Sequence, residues 1–134
     1  MNETSVAFEA VSPLAFREAV VRAREALAGE GFGVLTEIDV QATLKAKLGV
    51  SVEPYVILGA CHPPSAHQSL NAAPEVGVLL PCNVTVSVES GRTVVRAMNP
   101  ESVMGIIGKP ELVPIGQHVG AALRRVLGAC EKQA

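Results

Sequence analysis

The sequence predicts an α+β domain in which helices cover one face of a curved antiparallel sheet. Apolar and polar residues alternate on both sides of Ser90-Gly91, which is typical of a hairpin with one dry face. Apolar residues recur at helical spacing in the C-terminal segment. The predicted order is strand, helix, three or four strands and helix, with short helical inserts. This order favours an α+β domain.

Composition predicts one folded domain over residues 1–134. The chain has 134 residues and is 49% hydrophobic, enough for a core that buries about two thirds of the unfolded surface. The net charge is −2 with acids and bases interspersed, so the basic stripe of a nucleic-acid-binding protein is missing. No apolar run approaches the ~20 residues of a membrane span, and no secretory signal is recognisable. Three cysteines without a CxxC pair indicate reduced thiols, and we expect a cytoplasmic protein.

In the N-terminal half, the pattern predicts a strand over residues 4–10 and a helix from Ser12-Pro13 to about Gly29. A second strand follows over residues 32–38, and Asp39 is the predicted N-cap of a short amphipathic helix that ends at Gly49. Two inner stripes are predicted. They are Phe16, Val20 and Leu27 on the first helix, and Val40, Leu44 and Leu48 on the second.

The third predicted strand, residues 53–60, is apolar on both faces and therefore central. Pro63-Pro64 begins a short helix that ends before Pro74. A two-residue turn at Ser90-Gly91 pairs Glu89 with Arg92. That register places one set of residues on the dry face: Val84, Val86, Val88, Val95 and Ala97. A helical turn is predicted around residues 102–107. The last helix, to about residue 132, has the buried stripe Ile115, Val119, Leu123, Val126, Leu127 and Cys130.

Four residues form the candidate site: Cys61, His62, Cys82 and Asn83. A thiol at a helix N-terminus beside an imidazole ionises more readily, although a cysteine also serves as a small buried residue. Pro81 cannot donate to a sheet ladder, so it marks an edge, a bulge or a strand start just before Cys82. Cys82 approaches Cys61 if the insert over residues 61–76 folds back over the sheet. A simple antiparallel register instead places Cys82 several residues down the strand.

Other chemistry has weaker support in the sequence. Cys61, His62, His67 and Cys82 are soft or borderline ligands, but their spacing matches no standard zinc pattern. There is no G-x-S-x-G elbow and no Gly-rich phosphate loop between a strand and a helix. We therefore expect no metal and no cofactor, and a binding module rather than an enzyme.

Two separated motifs resemble the bacterial and archaeal family called domain of unknown function 302. The first is Gly59-Ala60-Cys61-His62-Pro63, followed by Ala66 and Leu70, and the second runs from Gly77 to Val84. The segments 31–39 and 44–49 are also similar to that family, so the resemblance covers about residues 5–105. It implies a fold similar to the TATA-binding-protein architecture, but no catalytic residues. Cys61 and Cys82 match its motif positions.

We expect a homo-oligomer, with a dimer favoured, that binds a small ligand or a protein near Cys61, Cys82 and Asn83. The expected partners include neither nucleic acid nor a membrane. The alternative is thiol chemistry, with Cys61 as nucleophile and Cys82 resolving it, or with the pair holding a soft metal. A purely structural partner of another protein is a third reading of the same sequence.

Overall fold

A computed structural model describes residues 1–132 of the chain. Its strands are β1 Asn2–Glu3, β2 Ala7–Ser12, β3 Gly33–Asp39, β4 Tyr55–Cys61, β5 Cys82–Glu89 and β6 Arg92–Met98. Its α-helices are α1 Phe16–Gly29, α2 Val40–Leu48, α3 Pro63–Ala72, α4 Pro100–Gly105 and α5 Val113–Cys130. Two 3-10 helices, Pro74–Leu79 and Pro110–Leu112, join these elements. No helix within residues 1–132 is both long and apolar enough to cross a membrane.

The strands form one antiparallel sheet in the order β1-β2-β6-β5-β4-β3, which confirms the predicted α+β class. Helices α1 and α5 pack on one face of this sheet and on each other. This covered face carries the main core, whose strand residues include Phe8, Leu58, Val84, Val86 and Val95. A smaller core of Ala73, Val76, Met104 and Leu112 lies among α3, α4 and the 3-10 helices.

The hairpin prediction is confirmed in register and in face. Glu89 pairs with Arg92 and Val88 with Thr93. Val84, Val86, Val95 and Ala97 are fully buried on the covered face. The other face carries half-buried or exposed side chains, including Val11, Tyr55, Ile57, Asn83, Thr85 and Arg96, and we call it the open face.

The N-terminal prediction was wrong in two respects. The predicted first strand is present as β2 only from Ala7 onwards. Residues 5 and 6 bend before it, because the Thr4 hydroxyl accepts hydrogen bonds from the amides of Val6 and Ala7, and Val6 is 70% exposed. Ser12 ends β2 opposite Thr93 and its hydroxyl accepts from the Leu14 amide, so it does not cap a helix. Helix α1 begins three residues later than Pro13, at Phe16. Its buried stripe is Ala19, Ala23 and Leu27, with Phe16 and Val20 packed at the margin.

Helix α2 has the predicted ends but not the predicted buried stripe. The Asp39 carboxylate accepts from the Ala42 amide at 2.9 Å, and Gly49 closes the helix in the left-handed region at φ 70°. No residue of α2 is buried, and Leu48 is 70% exposed. The helix follows the edge strand β3, and its apolar residues Val40 and Leu44 are only half-buried.

The end of β4 lies beside the start of β5. Cys82 pairs with Ala60 and Asn83 with Gly59. The expectation that a simple antiparallel register would separate Cys82 from Cys61 was therefore wrong. In an antiparallel pair, the residue that ends one strand lies next to the residue that begins the other.

Candidate functional site

A small cavity lies where β4 ends, β5 begins and α3 starts. Its chemically active lining is Cys61, His62, Ser65, Ser69 and Cys82, and we call it the thiol cavity. The predicted site residues Cys61, His62 and Cys82 are thus brought together, with two serines of α3. The volume is about 20 Å³. A cavity of this size accommodates about one water molecule and no organic ligand.

His62 is fixed by contacts with several elements. It occupies the N-cap position of α3, and its Nδ1 is hydrogen-bonded to Ser65 Oγ at 2.7 Å. Its ring centroid lies 5.4 Å from that of Phe32 and 5.7 Å from that of His118 on α5. A Cβ atom placed on Gly31 would lie 3.4 Å from the ring. The imidazole therefore links the start of α3 to α5 and to the loop before β3.

The three thiols differ in their surroundings. Cys61 is half-buried, whereas Cys82 and Cys130 are buried, and all three are free. Burial raises the pKa of Cys82 to about 11, and the nearby Cys61 adds to the rise. Burial likewise raises the pKa of Cys130 to about 11. Because both buried thiols stay protonated near neutral pH, only Cys61 is placed to begin nucleophilic chemistry.

Cys61 and Cys82 are neighbours on adjacent strands but not direct partners. Cys82 pairs with Ala60, so these two side chains share the covered face. Strand alternation then directs Cys61, the next residue along β4, to the other side. Both thiols nevertheless line the thiol cavity at the strand ends.

Ser69 and His118 belong to this region but were not predicted from the sequence. Ser69 is fully buried, and within residues 1–132 its hydroxyl has no hydrogen-bond partner. The sequence feature that could have identified Ser69 is its i, i+4 spacing from Ser65, which places two small polar residues on one face of α3. Leu70, on the other side of the same helix, is 40% exposed.

Asn83 lies apart from the thiol cavity. It is exposed on the open face, beside a hollow of about 280 Å³. We call this the sheet hollow; its lining includes Val6, Tyr55, Asn83, Thr85, Arg96 and Met98. The Thr85 hydroxyl is buried and finds no partner in the described part of the chain. Thr85 is itself half-buried and lines the hollow, and its hydroxyl can move by rotation to another staggered χ1 rotamer.

The guanidinium of Arg96 is held by two carboxylates at one end of the sheet hollow. Its Nη2 donates to Glu89 Oε1 at 3.1 Å. Its Nε forms an ion pair with Glu9, and its Nη1 forms one with the other Glu89 oxygen. Hydrogen bonds from Arg96 and Ser87 lower the pKa of Glu89 to about 2. The pKa of Glu9 is also lowered, chiefly by its hydrogen bond from Arg96. The three side chains together carry one net negative charge, so this end of the hollow does not favour an anion.

Metal-ligating side chains do not converge in the described structure. Within residues 1–132, no three side chains among histidine, cysteine, aspartate and glutamate are placed to hold a metal ion. His67 is exposed and hydrogen-bonded to Asn71 at 3.3 Å, on the outer side of α3.

The fold and the site define a helix-backed antiparallel domain with a buried thiol cavity and an open hollow. The chain belongs to the family described as Domain of unknown function DUF302, which it matches over residues 8–130. It is also similar to the crystal structure of the uncharacterized conserved protein DUF302 from Bacillus stearothermophilus. The TM-score is 0.88 at 32% sequence identity, over 93% of this chain and 98% of the other. No curated protein matches the sequence.

Proposed function

We propose that this protein is a homodimeric module that binds a small neutral molecule in the sheet hollow. The observation that carries the proposal is a hollow of about 280 Å³ bordered by a threonine whose buried hydroxyl has no partner within residues 1–132. A buried hydroxyl without a hydrogen bond costs about 1–3 kcal/mol. A ligand that accepts from Thr85 removes that cost, and this gain favours the bound state.

Volume favours the sheet hollow over the thiol cavity as the ligand site. Small-molecule sites occupy roughly 300–1,000 Å³. The sheet hollow is close to that range at about 280 Å³, whereas the thiol cavity is far below it at about 20 Å³. Of the predicted site residues, Asn83 therefore contacts the ligand, and Cys61 and Cys82 do not.

The lining indicates the chemistry of the ligand. Val6 and Met98 offer apolar surface, while the side chains of Tyr55, Asn83 and Thr85 offer hydrogen bonds. The Arg96 guanidinium is already occupied by two carboxylates. A neutral molecule with an apolar body and a carbonyl or hydroxyl group fits this lining better than a phosphate or carboxylate does.

Protein-observed NMR with a library of small neutral fragments tests the ligand site. We expect the amide signals of Tyr55, Asn83, Thr85 and Met98 to shift together on titration of the best fragments. Fragments whose shifts map to another surface, or no binding by any neutral fragment, would contradict the proposal.

Thr85→Val separates binding from folding, because it keeps the branched shape and removes the hydroxyl. Fragment affinity should fall about fivefold, the equivalent of one hydrogen bond of about 1 kcal/mol. The free energy of unfolding should rise by about 1 kcal/mol, since an unpartnered buried hydroxyl is removed. Thr43→Val, at an exposed position of α2, is the matched control and should change neither quantity.

Thiol chemistry is a second candidate function, favoured by the position of Cys61 and Cys82 at adjacent strand ends. In this reaction the Cys61 thiolate attacks a sulfur of a low-molecular-weight disulfide and one thiolate leaves. Cys82, deprotonated as it attacks the sulfur of Cys61, then releases the second thiolate and closes the protein disulfide. Electrons balance, because one external disulfide is reduced for each protein disulfide formed.

Alkylation kinetics of the folded protein test this second candidate. Cys61 should react quickly near neutral pH, while Cys130, which is buried and has a pKa of about 11, serves as the internal slow control. Equal slow rates for Cys61, Cys82 and Cys130 would rule the thiol function out. The same would follow if a mild oxidant produced no Cys61–Cys82 disulfide detectable by mass spectrometry.

A further inference from the structure

Another concave surface lies between α4 and the start of α5, and it shares the lining residue Met104 with the thiol cavity. This α4 groove has a volume of about 500 Å³ and is lined mainly by Met104, Gly105, Gly108, Pro110, Leu112 and Val113. Its floor is continuous with the smaller core, through Met104 and Leu112. The lining glycines leave space, because a Cβ atom on Gly105 or Gly108 would meet nothing within 4 Å.

The groove is bordered by unusually exposed apolar side chains. Ile106 stands between the lining residues Gly105 and Gly108 and is 80% exposed, and Val113 on the groove wall is 56% exposed. Singly scattered apolar residues are ordinary on a protein surface, but an apolar projection beside an apolar groove indicates an interaction site.

We propose that a second copy of this chain fills the α4 groove, with Ile106 of each copy inserted into the groove of the other. A two-fold axis makes the same patch contact itself, so the projection and the groove must occur on the same surface. Ile106 and the α4 groove meet this condition, because Ile106 lies in the chain between the lining residues Gly105 and Gly108. This inference rests on the homodimer of the proposed function and assigns its interface.

The charges on the rim fit a second copy better than other partners. The two charged lining residues have opposite sign: Glu101, whose Oε1 accepts from Arg124 of the same chain at 3.0 Å, and Lys109, whose Nζ donates to the Ala72 carbonyl at 3.3 Å. A two-fold axis can bring the lysine of one copy towards the glutamate of the other, as electrostatic complementarity between partners requires. A nucleic acid or an acidic peptide would instead require a rim of one sign.

Oligomeric state, measured by light scattering and sedimentation equilibrium on the full chain, tests the inference. The wild-type protein should have twice the monomer mass of 13.9 kDa. Ile106→Asp removes the projection, and Gly105→Leu fills the groove from the same chain. Each should raise the dimer dissociation constant by about tenfold or more, as expected when a buried anchor at an interface is lost.

Val21→Asp is the matched control, because Val21 is a 54% exposed aliphatic residue on α1, outside the groove. It should leave the dimer intact, and thermal unfolding should show that all three variants are folded. A wild-type monomer at all concentrations would overturn the inference. A dimer that Ile106→Asp and Gly105→Leu leave unchanged would also overturn it. Fragment binding at the sheet hollow is measured separately, so the ligand site of the proposed function and the dimer interface can fail independently of each other.

Discussion

Gly59 lies on β4, where the neighbouring side chains leave no space for a Cβ atom. Replacing it with alanine tests this packing. A Cβ atom at position 59 would lie 2.2 Å from Thr36 Oγ1 and 2.9 Å from Pro81 Cγ. Real Cβ contacts are essentially never shorter than 3.0 Å. The Thr36 hydroxyl can move by rotation about χ1, but the Pro81 ring has little freedom. Gly59→Ala must therefore shift the proline or the strand.

The magnitude follows from two opposing effects. Overpacking in a closed region costs about 1–3 kcal/mol. Replacing a glycine within a strand regains about 0.5–1 kcal/mol of backbone entropy, because Gly59 does not need a positive φ. The free energy of unfolding of Gly59→Ala should therefore fall by about 1–2 kcal/mol. For a domain of this size, that corresponds to a decrease in Tm of about 3–10 °C.

Urea unfolding followed by far-UV circular dichroism measures the effect, since the chain has no tryptophan. Gly33→Ala on the neighbouring strand is the control, because a Cβ atom there meets nothing within 4 Å. Thr36→Ala should rescue part of the loss in a double-mutant cycle, since it removes the closest atom. The packing argument fails if Gly59→Ala is as stable as the wild type, or if Thr36→Ala gives no coupling.

Three further predictions follow from individual contacts. The pKa of Glu89 is lower in the folded protein than its unfolded value near 4.5, so its ion pair stabilises the fold above about pH 4.5, and the free energy of unfolding should fall as the pH decreases towards 2. In an acid titration, the free energy of unfolding of Arg96→Gln should fall less steeply. Asp39→Ala removes the α2 cap at a cost of about 1 kcal/mol, so amide exchange should accelerate in α2 and scarcely elsewhere. Gly120→Ala places a Cβ atom 2.8 Å from Glu101 Oε1, and a small loss of Tm should accompany displacement of that flexible side chain.

The sequence predicts an element well when its apolar pattern is covered by another element. The α5 stripe from Val119 to Cys130 was correct because α5 packs on α1 and on the sheet. The α2 stripe had a similar spacing but is only partly covered, since α2 lies at the sheet edge, where Val40 and Leu44 are half-buried and Leu48 is exposed. Periodicity identifies the apolar side of a helix. Whether another element packs on that side depends on the order of the strands in the sheet.

The same distinction explains the candidate site. Alternation along β5 already places Cys82 with Val84 and Asn83 with Thr85, on opposite faces of the sheet. Neighbours in sequence, Cys82 and Asn83 lie on opposite faces, while the pairing with Ala60 brings Cys82 beside Cys61 across 20 intervening residues. Because the segment between them is a helical insert and not a tight turn, local sequence does not set this pairing. A site that spans strand ends can be predicted residue by residue only after the register is known.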